Sequence, residues 1–346
     1  MCILIMMGAC KKKQENTPVI NINYPAVYVV NGGSNSLSII KLSDGTVTTT
    51  IDLTKQPMSG MDDMATGITW PHHIYMNPAK TQLVVGVPGM DLSAGHSGGM
   101  MGMPGKFAII DASKGCITAV VDIPVMNHNA VFSPNGNEIW TARMEDMGKV
   151  LVYDANTHTL KNTIGVGKQP AEVTFSFDGK IAFVANGGDN SVTAIDVNTK
   201  MVMATIPVGA DPVGAWVGSN NKMYVDNETG QTISVIDVTT LKVVETIVLG
   251  FMPGMAAYQD DMKELWVSDP VNGKIHWWAW SSSMNKYVHS GEFLTGSGAH
   301  AIAFDGMKAY ITNQLAGTVS VCDVMSHTKI KDIVVGSKPN GIVIKP

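Results

Sequence analysis

The chain repeats itself about every 42 residues, and this period restricts its fold more than any other feature. The period is measured at the end of an apolar segment, which falls at Asp111, Asp154, Asp196, Asp237, Ala279 and Asp323. The intervening segments are short, rich in Val, Ile and Thr, and separated by Gly, Asn, Asp and Pro, a pattern typical of strands joined by turns. Tandem units of this length with four strands each predict the blades of a β-propeller.

Seven units are predicted. They begin near residues 26, 70, 126, 169, 211, 253 and 298. The first unit lacks an inner strand, while residues 338–344 have the sequence of a spare one. Pairing of these two parts would close the ring and leave few exposed strand edges. The predicted fold class is therefore all-β: a single seven-bladed β-propeller of four-stranded antiparallel blades over residues 26–346, closed by the C-terminal strand.

Several units carry a related tetrapeptide in their second strand. The four versions are Tyr28-Val29-Val30-Asn31, Phe183-Val184-Ala185-Asn186, Tyr224-Val225-Asp226-Asn227 and Tyr310-Ile311-Thr312-Asn313. They resemble the motif that names the YVTN-repeat proteins, and the chain is similar in its repeats to surface-layer and cytochrome d1-like propellers. The resemblance implies the fold over residues 26–346. It implies no single function, because propellers serve as enzymes, binding proteins and scaffolds alike.

The N-terminal residues resemble a bacterial lipoprotein signal. Residues 1–9 are almost wholly apolar, and Cys10 follows the small residues Gly8 and Ala9. The resemblance implies that residues 1–10 are a signal segment with its lipobox, that Cys10 is acylated, and that residues 11–25 are a polar tether. The segment is shorter than the usual signal of about 15–30 residues, so the true start is expected upstream. We expect a protein of the periplasm or cell surface that contacts a membrane only through its lipid.

Composition excludes several classes of function. The formal net charge is -5, and the one run of basic residues is the short Lys11-Lys12-Lys13 of the predicted tether, so the chain lacks the electrostatic signature of a nucleic-acid-binding protein. None of the four cysteines forms a CxxC or CxxCH motif, which argues against a thiolate zinc site and against covalent haem.

Histidines mark one mouth of the predicted central channel. In a propeller the innermost strand of each blade starts at one face, and His72, His73, His128 and His300 all stand at such starts. Two inserted loops, roughly 54–67 and 90–104, fall on the same face and are rich in methionine. The predicted metal ligands are His72, His73, His128, His300, His96, Met100, Met101, Met103 and Met255.

Imidazole and thioether ligands together suit copper, particularly Cu(I), and suit zinc less well. The placement of the adjacent pair His72-His73, with His128 and His300, is similar to that of the copper-ligating histidines in the propeller of nitrous oxide reductases. This chain has fewer axial histidines than those enzymes and lacks their cupredoxin domain, so the resemblance implies the ligand type and place, not the reaction. The predicted function is storage, sensing or delivery of copper; the sequence favours a protein without catalytic activity over an enzyme but leaves the question open.

Two alternatives remain open from the sequence. The loop-rich face could belong to a surface scaffold that recognises a protein or glycan without metal. Some seven-bladed propellers hydrolyse sugar lactones, and a lactonase-like hydrolase would need an acid or base at the channel. Glu172 is the one carboxylate at the start of an inner strand, with Asp211 beside another. The first alternative predicts no metal dependence, and the second predicts turnover.

Overall fold

The computed structural model describes residues 20–55, 65–93 and 103–346. Within these residues, strands form seven four-stranded antiparallel sheets. Blade 1 contains β1 (Ala26–Asn31), β2 (Ser36–Lys41), β3 (Thr46–Asp52) and the C-terminal β28 (Pro339–Lys345). Blade 2 contains β4 (Ile74–Met76), β5 (Gln82–Val87), β6 (Gly105–Asp111) and β7 (Ile117–Ile123). Blade 3 contains β8 (Ala130–Phe132), β9 (Glu138–Arg143), β10 (Lys149–Asp154) and β11 (Leu160–Gly165).

The remaining four blades, like blades 2 and 3, run from the inner to the outer strand along the chain. Blade 4 contains β12 (Pro170–Phe175), β13 (Ile181–Asn186), β14 (Ser191–Asp196) and β15 (Val202–Pro207). Blade 5 contains β16 (Pro212–Gly218), β17 (Lys222–Asn227), β18 (Thr232–Asp237) and β19 (Lys242–Val248). Blade 6 contains β20 (Ala256–Gln259), β21 (Glu264–Asp269), β22 (Lys274–Ser281) and β23 (Lys286–Leu294). Blade 7 contains β24 (Ala299–Asp305), β25 (Lys308–Asn313), β26 (Thr318–Asp323) and β27 (Thr328–Val334).

The seven inner strands contact one another in a closed circle, and β28 contacts both β24 and β4. The strand β28 pairs antiparallel with β1, with Tyr28 opposite Val343 and Val29 opposite Ile342. The prediction that the C-terminal strand completes blade 1 is therefore confirmed, as is the seven-bladed fold. The ring is closed by hydrogen bonds between the two ends of the chain.

The tetrapeptide of the second strands has a structural role. Its aromatic residue is fully buried at Tyr28, Phe183 and Tyr224. Its asparagine ties the turn to the third strand: Asn313 Nδ2 donates to Thr318 Oγ1 at 2.9 Å and to Ser320 Oγ at 2.9 Å. The asparagines of blades 1, 4 and 5 make equivalent pairs of bonds. The motif therefore stabilises the fold, and its presence does not indicate a particular function.

Residues 20–25, the described part of the predicted tether, lie against the ring. Ile22 is fully buried in the cluster between blades 1 and 2, and its amide donates to Ser113 O at 2.7 Å. Lys345 Nζ donates to Ile22 O at 2.7 Å. Cys10 and the rest of the signal segment and tether lie outside the described residues. Among the residues described, no helix has the length and apolar character needed to cross a membrane.

Candidate functional site

Three histidines from two neighbouring blades converge at one mouth of the channel. His72 and His73 directly precede β4, and His128 precedes β8. The His72 amide donates to Gly86 O at 2.8 Å, and the Gly86 amide donates to His73 O at 3.1 Å, so the pair continues the pairing of β4 with β5. A Cβ on Gly86 would lie 2.7 Å from His128 O, so glycine is required for the two blades to approach this closely.

The three rings form a compact, buried cluster. Ring centroids are 4.4 Å apart for His72 and His128, 4.5 Å for His72 and His73, and 5.1 Å for His73 and His128. One ring nitrogen from each residue lies within 4.8 Å of the others. Their exposed fractions are only 2%, 5% and 1% for His72, His73 and His128. We call these three residues the axial histidine cluster.

His300 of blade 7 lies at the edge of the axial histidine cluster. Its ring centroid is 5.9 Å from that of His72 and 5.7 Å from that of His73. Its Nδ1 lies 3.1 Å from Asn340 O, a hydrogen-bonding distance to the C-terminal strand. The structure therefore brings together the four histidines that sequence analysis placed at the channel mouth.

A fully buried carboxylate, Glu172 of blade 4, lies beside the cluster. Its Oε1 is 2.6 Å from His128 Nδ1 and 3.3 Å from His73 Nε2. Its Oε2 accepts from Tyr75 OH at 3.0 Å and from Asn129 Nδ2 at 2.5 Å. Burial raises the pKa of Tyr75, and the charge of Glu172 raises it further, so this hydroxyl remains a neutral donor.

The contact with Glu172 determines the tautomer of His128. At 2.6 Å the Nδ1 nitrogen donates its hydrogen to the carboxylate, which makes Nε2 the nitrogen with a lone pair for coordination. In metal sites, a ligating histidine almost always donates its other ring hydrogen to a carboxylate, carbonyl or water. From the sequence, Glu172 was predicted only as a possible acid or base, and its contact with His128 was not predicted. Its position as the one carboxylate at an inner-strand start was the available signal.

The predicted methionine ligands that the structure describes do not converge at the channel mouth as the four histidines do. Met255 lines the channel cavity with His73, but its Sδ accepts from the Ile302 amide at 3.3 Å. Met103 is exposed, and its carbonyl accepts from the Met126 amide at 2.6 Å. His96, Met100 and Met101 lie outside the described residues. Other methionines of this face form an apolar cluster: Met90, Met126 and Met144 pack with Leu92, Ala171 and Val213.

The channel below the cluster holds a cavity of about 350 Å³. Residues from all seven inner strands or their entries line it, among them His73, Tyr75, Trp216 and Met255. The ring of Trp216 lies 5.8 Å from that of His73. A small molecule in this cavity would therefore meet one face of the axial histidine cluster.

A second buried carboxylate, Asp226 of β17, holds Trp216 in place. Its Oδ1 accepts from Trp216 Nε1 at 2.8 Å and from the Gly214 amide at 2.9 Å. Burial raises the pKa of Asp226 well above the ordinary 3.8, and the nearby charge of Glu228 raises it further. In the sequence Asp226 stands out only as part of the repeat motif, so its contact with the channel-lining Trp216 was not predicted.

The raised pKa of Asp226 predicts a pH-dependent stability. Below pH 3.8 the Asp226 carboxyl is protonated in both the folded and the unfolded chain. Above pH 3.8 only the folded chain keeps this proton, so the free energy of unfolding falls by about 1.4 kcal/mol per pH unit until the pKa of the folded chain is reached. Wild type should therefore lose stability relative to Asp226→Asn as pH rises from 4 upward. Melting of both proteins between pH 4 and pH 8 measures this difference. Parallel curves would show that Asp226 is ionised in the folded chain.

The fold is similar to that of several solved propellers. A functionally unknown protein from Desulfotomaculum acetoxidans is 11% identical, with a TM-score of 0.72 over 92% of this chain and 98% of that one. A periplasmic gluconolactonase from Pseudomonas aeruginosa is 15% identical, with a TM-score of 0.70 over 93% of this chain and 99% of that one. A dihydro-heme d1 dehydrogenase is 13% identical, with a TM-score of 0.60 over 96% of this chain and 77% of that one.

At such identities these likenesses concern the fold alone, and they agree with the resemblance to cytochrome d1-like propellers noted in the repeats. No protein-family profile matches the sequence, and no curated protein matches it.

Proposed function

We propose that this propeller binds a transition-metal ion, with copper as the preferred metal, at the axial histidine cluster. The observation that carries the proposal is a buried group of three imidazoles, with one ring nitrogen of each within 4.8 Å of the others, beside the buried carboxylate of Glu172. Imidazole nitrogens favour copper and zinc over magnesium and calcium, which prefer oxygen ligands. Glu172 supplies the acceptor that orients a ligating imidazole.

The methionine-rich loop before β6 favours copper over zinc. Thioethers are soft ligands suited to Cu(I), and the sequence of residues 89–104 contains several methionines in addition to His96. The apolar cluster around Met126 and Met144 covers part of this face, which would limit access of water to a bound ion. His300 is proposed as a further ligand. Lipid attachment at Cys10 would place such a site in the periplasm or at the cell surface, where copper could be stored, sensed or handed on.

Loss of the axial histidines should abolish tight binding. Copper should bind wild type at least 100-fold more tightly than the His72→Ala/His73→Ala/His128→Ala protein, because even loss of an outer-shell partner typically costs 10–100-fold in affinity. The measurement is Cu(I) competition with a chromophoric chelator, on protein purified without a histidine tag. The matched control is His158→Asn, a change at a surface turn with φ 57°, which asparagine tolerates.

Circular dichroism on each variant checks that loss of binding is not loss of folding. Zinc titration under the same conditions tests the choice of metal: a preference for zinc over copper would overturn that part of the proposal. Equal copper affinity in wild type and the triple variant would overturn the site. It would also leave a metal-free recognition scaffold as the better interpretation of this face.

Lactone hydrolysis is the second candidate function. The observation in its favour is the 2.6 Å contact of His128 with Glu172 beside a cavity of about 350 Å³, in a fold similar to a gluconolactonase. Such a His–carboxylate pair can take a proton from an attacking water. Turnover of gluconolactone by wild type and its absence in the triple variant, both stripped of metal by chelator, would favour the hydrolase over the metal-binding protein.

A further inference from the structure

A second group of histidines lies on the outer half of blade 6, away from the channel. His276 of β22 is directly opposite Glu292 of β23, and His289 is directly opposite Trp278. The register shifts between Trp277 and Trp278, so one extra residue of β23 is accommodated there. Since side chains of a strand alternate between faces, His276 and Trp278 share a face, and their partners His289 and Glu292 lie on it too.

Two distances within this group match the edges of a metal tetrahedron, and the ligand atoms of all three residues lie within 4.8 Å of one another. His276 Nδ1 is 3.4 Å from His289 Nε2 and 3.3 Å from Glu292 Oε2. Ligands bound tetrahedrally to zinc at about 2.0–2.1 Å are separated by about 3.3–3.4 Å. A hydrogen on His276 Nδ1 can be donated well to only one of these two acceptors, whereas one metal ion would contact all three atoms.

The surroundings of His276 also suit a metal ligand. Its side chain is only 12% exposed, and the ring of Phe251 stacks on it with centroids 4.4 Å apart. Its other nitrogen, Nε2, lies 3.5 Å from Oδ2 of the buried Asp269. The buried Nε2 makes no hydrogen bond at this distance, but a carboxylate behind a ligating imidazole is the partner that fixes its orientation and increases its basicity when the two close to hydrogen-bonding distance. His289 and Glu292 are exposed, so an ion can enter from solvent.

We propose that His276, His289 and Glu292 bind a divalent zinc ion, with the fourth position open to water. Two imidazoles and one carboxylate are a common zinc donor set. This blade 6 site shares no residue with the axial histidine cluster and does not depend on the function proposed for it. The sequence pattern does not bring His276 and His289 together, because the register shift after Trp277 that places them on one face is not visible in it.

Lys274 regulates the affinity of the blade 6 site. Its Nζ lies 2.6 Å from Glu292 Oε1, so the ammonium competes with a cation for the same carboxylate. A bound zinc ion also meets the repulsion of this charge at short range. Replacement of the ammonium by an apolar side chain of similar length therefore strengthens zinc binding.

Zinc titration of the full-length protein by calorimetry, without a histidine tag, tests the proposal. His289→Ala and Glu292→Gln should each weaken zinc binding at this site at least 10-fold, and Lys274→Met should strengthen it several-fold. His289 and Glu292 are exposed, so neither variant should lose its fold. His158→Asn is the control and should bind like wild type.

The same titration in the His72→Ala/His73→Ala/His128→Ala protein separates this site from the axial one. One zinc ion should still bind, and adding His289→Ala should remove it. Imidazole resonances of His276 and His289 should shift together in NMR spectra when zinc is added. Zinc affinities of His289→Ala and Glu292→Gln equal to the control would overturn the blade 6 site, whatever the outcome for copper at the axis.

Discussion

Removal of residues 339–346 is expected to prevent stable folding of the ring. These residues form the inner strand of blade 1, whose second strand pairs with them from Ala26 to Asn31. Without them, the fully buried Val27 and Val29 would lie at an open strand edge. The lost ladder hydrogen bonds contribute about 0.5–1.5 kcal/mol each, and exposed apolar surface adds to that cost, against a total stability of typically 5–15 kcal/mol.

The expected observation is aggregation, or a melting temperature lower by more than about 15 °C, measured by circular dichroism and light scattering. Removal of the exposed Pro346 alone is the control and should leave melting unchanged. A synthetic peptide of residues 338–346 should restore part of the stability when added in excess, because it can pair with β1 as β28 does. A truncated protein that melts like the full chain would show that ring closure contributes little to stability.

The fold could be predicted well because its pattern recurs along the chain. Turns and apolar segments recur at one period, and the asparagine that bonds the third strand recurs in four of the seven blades, so errors in one unit are corrected by the others. The position of the histidines at the channel mouth follows from the same repeat. Knowing which strand is innermost was enough to bring His72, His128 and His300 to one place.

The chemistry of the sites was predicted less completely, because it depends on contacts that do not repeat. Glu172 reaches His128 across 44 residues of sequence and Tyr75 across 97, and no periodic pattern reports such contacts. The blade 6 site depends on a single register shift after Trp277. Met103 and Met255 were predicted together as ligands, yet Met103 is exposed while Met255 lines the channel. Methionine is found in both settings, so its presence alone does not distinguish them.

Substitution of Glu172 by glutamine is expected to weaken copper binding by about 10–100-fold, the usual effect of losing an outer-shell partner of a ligating histidine. An amide has one acceptor oxygen in place of two, so it cannot accept from His128, Tyr75 and Asn129 as the carboxylate does. At least one buried donor then faces an NH₂ group, which costs about 1–3 kcal/mol of folding free energy. The neutral amide also removes the negative charge that favours a cation at the cluster.

The matched control is Glu264→Gln in blade 6, outside the channel. Glu264 is likewise buried, and its Oε2 accepts from Trp266 Nε1 at 2.9 Å and lies 2.8 Å from His327 Nε2. Both variants should therefore melt at lower temperature, since each leaves a buried donor poorly paired. Only Glu172→Gln should lose copper affinity, measured by Cu(I) competition at a temperature where both variants are folded. A loss of affinity shared by both would indicate a general effect of destabilisation, and unchanged affinity in Glu172→Gln would show that this carboxylate does not orient a metal ligand.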